Sequence, residues 1–418
     1  MTTIQFAKSA QLGFALGLLL RFDSHAQANE PSRLKFQFGS GDPPAGSRHV
    51  AATNYFSTES GFGFEPGMRV VAEKEFVSSA NPFLFSVALP EGNYRVTVAL
   101  GGMDESETTI KAELRRLMLE RVTTAKGKVA TRSFVVNVRT PKIPGGGDVR
   151  LKPRERDTEM VNWDDKLTLE FNGRGICLRS LEITPAEVPA IFLLGDSTVC
   201  DQPREPWNSW GQMLPRFFKP EIAVSNHAES GESIKSSLSA RRFEKVFSQM
   251  KSNDWLFVQF GHNDMKDRAT NALPVYKSNL KKIVAQTRAH GGTPVLVTSM
   301  ERKDGVEKET LAGYPDAVRE VAKEENAPLV DLNAMSKAFY RALGTNIGAA
   351  FQDGTHHNNY GSYELARCVV ERVRNDVPAL AKFLAEDMRS FDPAHPDTPE
   401  NFTMAVSPKE SGLKPEGN

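Results

Sequence analysis

Residues 190–198 read Ala190-Ile-Phe-Leu-Leu194-Gly195-Asp196-Ser197-Thr198. Five apolar residues without alternation describe a strand buried on both faces, the form strands take in a parallel sheet covered by helices. Four later runs have the same form: Ile222-Ala-Val224, Trp255-Leu-Phe-Val-Gln-Phe260, Pro294-Val-Leu-Val-Thr298 and Pro328-Leu-Val-Asp-Leu332. Polar segments of helical length separate them, with helices expected over 210–218, 273–290, 314–326 and 361–374. The pattern predicts a three-layer α/β/α unit with a parallel five-stranded sheet, over residues 188–388. In such sheets function sits at the carboxyl ends of the strands.

Upstream the period changes. Phe83-Leu-Phe-Ser-Val-Ala-Leu89 and Tyr94-Arg-Val-Thr-Val-Ala-Leu100 alternate, flanking the turn Pro90-Glu-Gly-Asn93. Phe134-Val-Val-Asn-Val138, Lys166-Leu-Thr-Leu-Glu-Phe171 and Ile176-Cys-Leu-Arg-Ser-Leu-Glu-Ile183 continue the theme. Short strands broken by Gly, Pro, Asn and Asp predict a β-sandwich over 29–187. Residues 111–122 have a helical look but lie between strand patterns, and read as strand. Residues 184–189 are the linker. A Pro-rich tail, 389–418, is irregular and either wraps the surface or hangs loose.

The first 28 residues are expected to be an export signal. Lys8 precedes the apolar run 12–20, and Ala26-Gln-Ala28 offers a cleavage pattern. Nine apolar residues are too few to span a bilayer, which needs about 20. The chain of 418 residues balances 52 basic against 52 acidic side chains. That neutrality argues against nucleic acid as a partner. Three cysteines exclude a disulfide scaffold, although a Cys177–Cys200 bridge between the two units is conceivable in an exported protein.

The chemistry lies at the strand ends. Ser197 follows a buried strand and a glycine, so its hydroxyl can project from a tight turn; alone it reads equally as a helix cap. A serine nucleophile needs a base, and Gln352-Asp-Gly-Thr-His-His357 supplies one. Asp353 and His356 are three apart in a turn, so the carboxylate can orient the imidazole. The adjacent His357 leaves the base ambiguous by one position, with spacing favouring His356. Gly231 permits close approach of a backbone NH, and Asn263 in Gly261-His-Asn-Asp264 places an amide at the same edge. Trp207 is a candidate for stacking on a sugar face, and Trp210 reads as core. No metal-ligand spacing occurs, so no metal or cofactor is expected.

The order Gly195-Asp-Ser197, Gly231, Gly261-His-Asn-Asp264 and Asp353-Gly-Thr-His356 resembles the GDSL/SGNH hydrolase superfamily. With Trp210-Gly-Gln-Met213 and Asn226-His-Ala-Glu-Ser-Gly231 it is similar to the rhamnogalacturonan acetylesterase group, carbohydrate esterase family twelve. The β-rich part resembles a galactose-binding-like sandwich. The resemblance implies a flavodoxin-like fold with Ser197 as nucleophile, His356 as base and Asp353 as its orienting acid. Ser197, Gly231 and Asn263 would form the oxyanion hole. The expected activity is that of a secreted or periplasmic carbohydrate O-acetylesterase. Its substrate would be an acetylated polysaccharide or oligosaccharide, pectic rhamnogalacturonan before xylan, with no membrane partner. The rival readings are an esterase for another acyl ester, or a catalytically silent glycan-binding protein.

Overall fold

The computed structural model describes residues 33–408 and 415–416. The expected export signal lies outside them. Among the described residues, no helix is long and apolar enough to cross a membrane.

The N-terminal part is built from two sheets, one of seven strands and one of five. Strand Leu34–Phe38 runs between strands Ile176–Pro185 and Arg48–Val50 in the larger sheet. Strand Lys166–Arg174 runs between strands Phe83–Ala88 and Ser106–Ala112 in the smaller. The inward faces are aromatic: Phe38 meets Phe85 edge-on at 5.1 Å, and Phe83 stacks on Phe171 at 5.1 Å. Alternation places these rings between the sheets, where each contributes about 1.5–3 kcal/mol of burial.

Residues 111–122 are strand, as expected, but they reverse direction. Strand Ser106–Ala112 pairs antiparallel with strand Arg116–Thr124. The turn between them holds Glu113 and Arg115 at φ 55° and 64°, with no glycine to mark it.

After strand Ile176–Pro185 the chain enters the parallel sheet at strand Ala190–Gly195. The remaining strands are Ala223–Asn226, Trp255–Gln259, Thr293–Val297 and Leu329–Val330. Counted in chain order they lie 2-1-3-4-5, the flavodoxin-like order, so the topological switch falls beside the first strand. Ile191 and Leu193 join one core cluster with Trp210 and helix Asn359–Asp376. Ala190, Phe192 and Leu194 join another with helices Arg242–Gln249, Ala272–Ala289 and Tyr314–Glu324. Both faces of the strand are therefore covered, which is why its sequence does not alternate. The expected helix over 210–218 is only Trp210–Met213, continued by a 3-10 turn at Leu214–Phe217 where Pro215 interrupts the ladder. Helices Ile234–Ser239, Arg242–Gln249 and Leu332–Leu343 were not foreseen from the sequence.

The two parts share an extensive polar interface. Arg115 pairs with Glu205 at 2.7 Å, Arg116 with Asp201 at 2.9 Å and Arg242 with Glu155 at 2.6 Å, all essentially buried. The described part of the tail wraps back over the seam. Asn172 donates to the Val406 carbonyl at 2.7 Å, and Lys111 donates to Ser407 at 2.7 Å. The conceivable Cys177–Cys200 bridge is absent: all three cysteines are free thiols. Cys177 lies against Gly102 in the sandwich, whereas Cys200 sits under the Ser197 turn with its sulfur 3.2 Å from the Ser230 hydroxyl.

Candidate active site

The turn after the first parallel strand is held by Asp196. Its carboxylate accepts from the Thr198 backbone NH at 3.0 Å and the Thr198 hydroxyl at 2.7 Å. Its other oxygen lies 3.2 Å from His262 Nδ1, while His262 Nε2 meets the Met300 carbonyl at 3.1 Å. Asp196 and His262 thus brace the loops. Gly195 has no room for a side chain, because a Cβ there would stand 2.7 Å from the Gln259 carbonyl.

Ser197 projects from this braced turn toward the loop before the last long helix. Its hydroxyl is 2.8 Å from His356 Nε2, and His356 Nδ1 is 2.9 Å from Asp353 Oδ2. The other oxygen of Asp353 accepts the backbone NH groups of Thr355 and His356, both at 2.7 Å. Burial alone would raise the Asp353 pKa. The His356 ring and these backbone donors outweigh it, so the carboxyl is held well below its usual range. Nδ1 is therefore fixed as the donor to Asp353, leaving Nε2 to accept from the serine hydroxyl.

His357 faces the other way. Its Nε2 is 2.8 Å from the Tyr340 hydroxyl, and its ring lies 4.1 Å from that of Phe351. Burial first, then the neighbouring His356, push its pKa down to about 3. It is a neutral core histidine, whereas the histidine in contact with Ser197 and Asp353 is His356.

The loops carrying Gly231 and Asn263 are joined: the Asn263 amide donates to the Glu232 carbonyl at 3.0 Å. Gly231 takes φ +75°, the left-handed region that glycine enters without strain. Trp207 is buried, and its ring stands edge-on to that of His356 at 5.9 Å between centroids. Trp210 is fully buried and donates to Gln259 at 2.8 Å, as a core residue.

Sequence reasoning missed what the sandwich brings to this edge. Arg115 donates to the carbonyls of Gln202 and Trp207 at 3.1 and 3.0 Å. Arg154 donates through Nε to Glu229 at 2.8 Å and through Nη2 to the Ser230 carbonyl at 2.6 Å. Together they clamp the loops that carry Trp207 and Gly231. Nothing in the local sequence marks these arginines, since their partners lie about 75 or more positions away.

A hydroxyl, an imidazole and a carboxylate bonded in series at the carboxyl edge of a parallel sheet form the architecture of a serine-type carboxylic ester hydrolase. The chain belongs to the GDSL-like lipase/acylhydrolase family, whose model matches residues 193–362. It is 34% identical over 205 residues to the rhamnogalacturonan acetylesterase RhgT of Bacillus subtilis, covering 44% of this chain and 88% of that one. The uncharacterized esterase YxiM of the same organism is 26% identical over 390 residues, 86% of this chain and 96% of the relative. The crystal structure of YxiM superposes with a TM-score of 0.45 and 25% identity, covering 82% of this chain and 98% of that one.

Proposed function

We propose that the chain is a carbohydrate O-acetylesterase with Ser197 as nucleophile, His356 as general base and acid, and Asp353 as the residue orienting His356. The observation that carries this reading is the continuous relay Ser197–His356–Asp353, with contacts of 2.8 and 2.9 Å. His356 Nε2 takes the hydroxyl proton as Ser197 Oγ attacks the acetyl carbonyl. The carbonyl oxygen becomes an oxyanion, received by the backbone NH groups of Ser197 and Gly231 and the Asn263 amide. One such donor contributes about 2.7–4 kcal/mol in the transition state. Collapse returns the proton to the sugar oxygen and releases the deacetylated alcohol. Water, activated by His356, then hydrolyses the acetyl-serine to acetate and free enzyme.

Acetylated plant cell-wall polysaccharide is the substrate class, with rhamnogalacturonan favoured over xylan; the likeness to RhgT supports this order. Gln202 and Arg204 of the loop after the nucleophile line the cleft together with Arg154 and Glu159, and these polar side chains argue against a lipid substrate. The residues 1–28 pattern supports export, with a sandwich over 29–187, a hydrolase unit over 188–388 and a tail over 389–418. The test is acetate release from a panel of acetylated pectins and xylans. Ser197→Ala is expected to lower turnover about 10,000-fold. Full activity of that variant on an aryl acetate would overturn the mechanism.

A further inference from the structure

Beside the relay lies a cleft of about 210 Å³, lined by Arg154, Glu159, Gln202, Trp207, Ser230 and Glu416 among others. It reaches the nucleophile's turn through Gln202 and Trp207. The Gln202 amide donates to the Ser197 carbonyl at 2.7 Å and to the Ser230 hydroxyl at 3.3 Å, and Trp207 is the ring against His356. Sites that enclose a whole small ligand measure roughly 300–1,000 Å³, so this one suits a single unit of a chain that passes across it.

Two cations from the sandwich stand at its wall. Lys152 Nζ donates to the Ser230 carbonyl at 2.5 Å and pairs with Glu232 at 3.2 Å. Arg154 spends Nε and Nη2 on Glu229 and Ser230, with Glu159 at 3.4 Å from Nε. That leaves Nη1. It has no hydrogen-bond partner among the described residues, and its one ionic neighbour is the Glu416 carboxylate at 2.5 Å. The same Glu416 oxygen is 3.9 Å from Lys152 Nζ. A Cβ on Gly231 would touch both Lys152 Nζ, at 3.4 Å, and Glu416 Cβ, at 3.3 Å. A carboxylate therefore sits on the Arg154–Lys152 pair directly beside the candidate oxyanion glycine. It arrives on the C-terminal tail with its side chain 64% exposed, so it is displaceable.

We propose that Arg154 and Lys152 form a subsite for the carboxylate of a uronic acid unit flanking the acetylated sugar, and that Glu416 occupies it in the substrate-free chain as an intramolecular stand-in. The inference rests on the acetylesterase reading for its position beside Ser197, but it makes a separate claim about charge. An arginine edge with one free nitrogen next to a lysine matches a carboxylate and does not match a neutral pyranose. Glu229, Glu159 and Glu232 take the inner sides of the two cations, and the edge left over, Arg154 Nη1 beside Lys152 Nζ, is the one that Glu416 occupies, so the subsite selects a carboxylate by the placement of its donors. Release of Glu416 exposes the pair to substrate, and the tail competes with it for the same contacts.

Calorimetry on the full chain with an unacetylated oligogalacturonate and its fully methyl-esterified form reads the subsite without catalysis. The acid form is expected to bind about tenfold or more tightly than the ester, and Arg154→Gln to erase that difference. Glu416→Ala is expected to tighten acid binding about threefold, raising the acid-to-ester ratio. Because Arg154→Gln risks misfolding, Glu416→Ala and the methyl ester keep the question open to refutation. Equal binding of acid and ester by the unaltered chain, or no change in their ratio in Glu416→Ala, overturns the subsite. If the chain prefers the acid yet hydrolyses no acetyl ester, the subsite stands and the esterase reading falls. If it hydrolyses acetyl esters without charge preference, the reverse holds.

Discussion

His356 and His357 are chain neighbours in opposite environments. One bridges a hydroxyl and a carboxylate, while the other is enclosed by Tyr340 and Phe351. His356→Ala is expected to reduce kcat by about 1,000-fold or more, the loss of a base from a unit that works together. His357→Leu is expected to stay within about tenfold of full activity but to lose about 1–3 kcal/mol of stability, because the buried Tyr340 hydroxyl loses the imidazole as a partner. The pH dependence separates the two further. His357 has a folded pKa near 3 against roughly 6.5 when unfolded, so the unfolded state binds its proton first. Its contribution to stability is present above pH ~6.5 and is lost as pH falls toward 3. Urea midpoints across that window should fall less steeply for His357→Leu than for the unaltered chain. Equal slopes would mean that His357 is protonated in the folded protein. Spacing alone pointed to His356, because a turn of three residues aims the carboxylate at that ring. The identity of His357 as core was not readable, since Tyr340 reaches it from a separate helix.

At the scale of elements, the hairpin of strands Ser106–Ala112 and Arg116–Thr124 supports the active-site loop. Its tip is a non-glycine reversal stabilised from outside. The Leu114 carbonyl accepts from Gln212 at 2.7 Å, and Arg115 meets Glu205 at 2.7 Å. Sequence patterns expose turns through Gly, Pro, Asn and Asp, so a reversal fixed by tertiary contacts left 111–122 looking like one element. The parallel strands were legible because burial on both faces leaves unbroken apolar runs. Helix Leu332–Leu343 was hidden because its start, the Asp331 cap, was absorbed into the preceding strand-like run. Arg115→Ala is expected to cost about 3–5 kcal/mol, since it leaves the buried Glu205 without its nearest cation. It should also lower kcat/KM, because the Gln202 and Trp207 carbonyls lose their donor. Denaturant titration and kinetics on one preparation check both. A drop in stability with unchanged kcat/KM in the folded fraction would show that the hairpin carries the fold and not the loop.

For the whole molecule the question is whether the sandwich is an appendage or half of one cooperative body. RhgT is matched over 88% of its length by 44% of this chain, so that relative has little length left for a sandwich of this size. In this chain the interface is dense with buried charge. Asp201 faces Arg116, Glu205 faces Arg115 and Lys111, and Arg242 faces Glu155, each pair crossing from one part to the other. Burying one member without its partner costs several kcal/mol, against a typical total stability of about 5–15 kcal/mol. Removing the sandwich would strip the partners from Asp201, Glu205 and Arg242, and would also take Leu117 and Val135 out of the two cores that flank the parallel sheet and bare the apolar surface they cover. The tail adds a second tie, since Glu205 also accepts from the Ser407 backbone at 3.0 Å while Ser407 donates to Glu170 at 2.8 Å. Residues 188–418 expressed alone are therefore expected to be unfolded or aggregated, and the full chain to unfold in one transition. Circular dichroism and tryptophan fluorescence should give coincident midpoints. A soluble 188–418 fragment with the thermal midpoint and aryl-acetate turnover of the full chain would make the sandwich an appendage. Two separated transitions in the full chain would make it an independently folding neighbour. The buried ion pairs weigh against both outcomes, because charges enclosed at a seam are tolerated only where the seam stays closed.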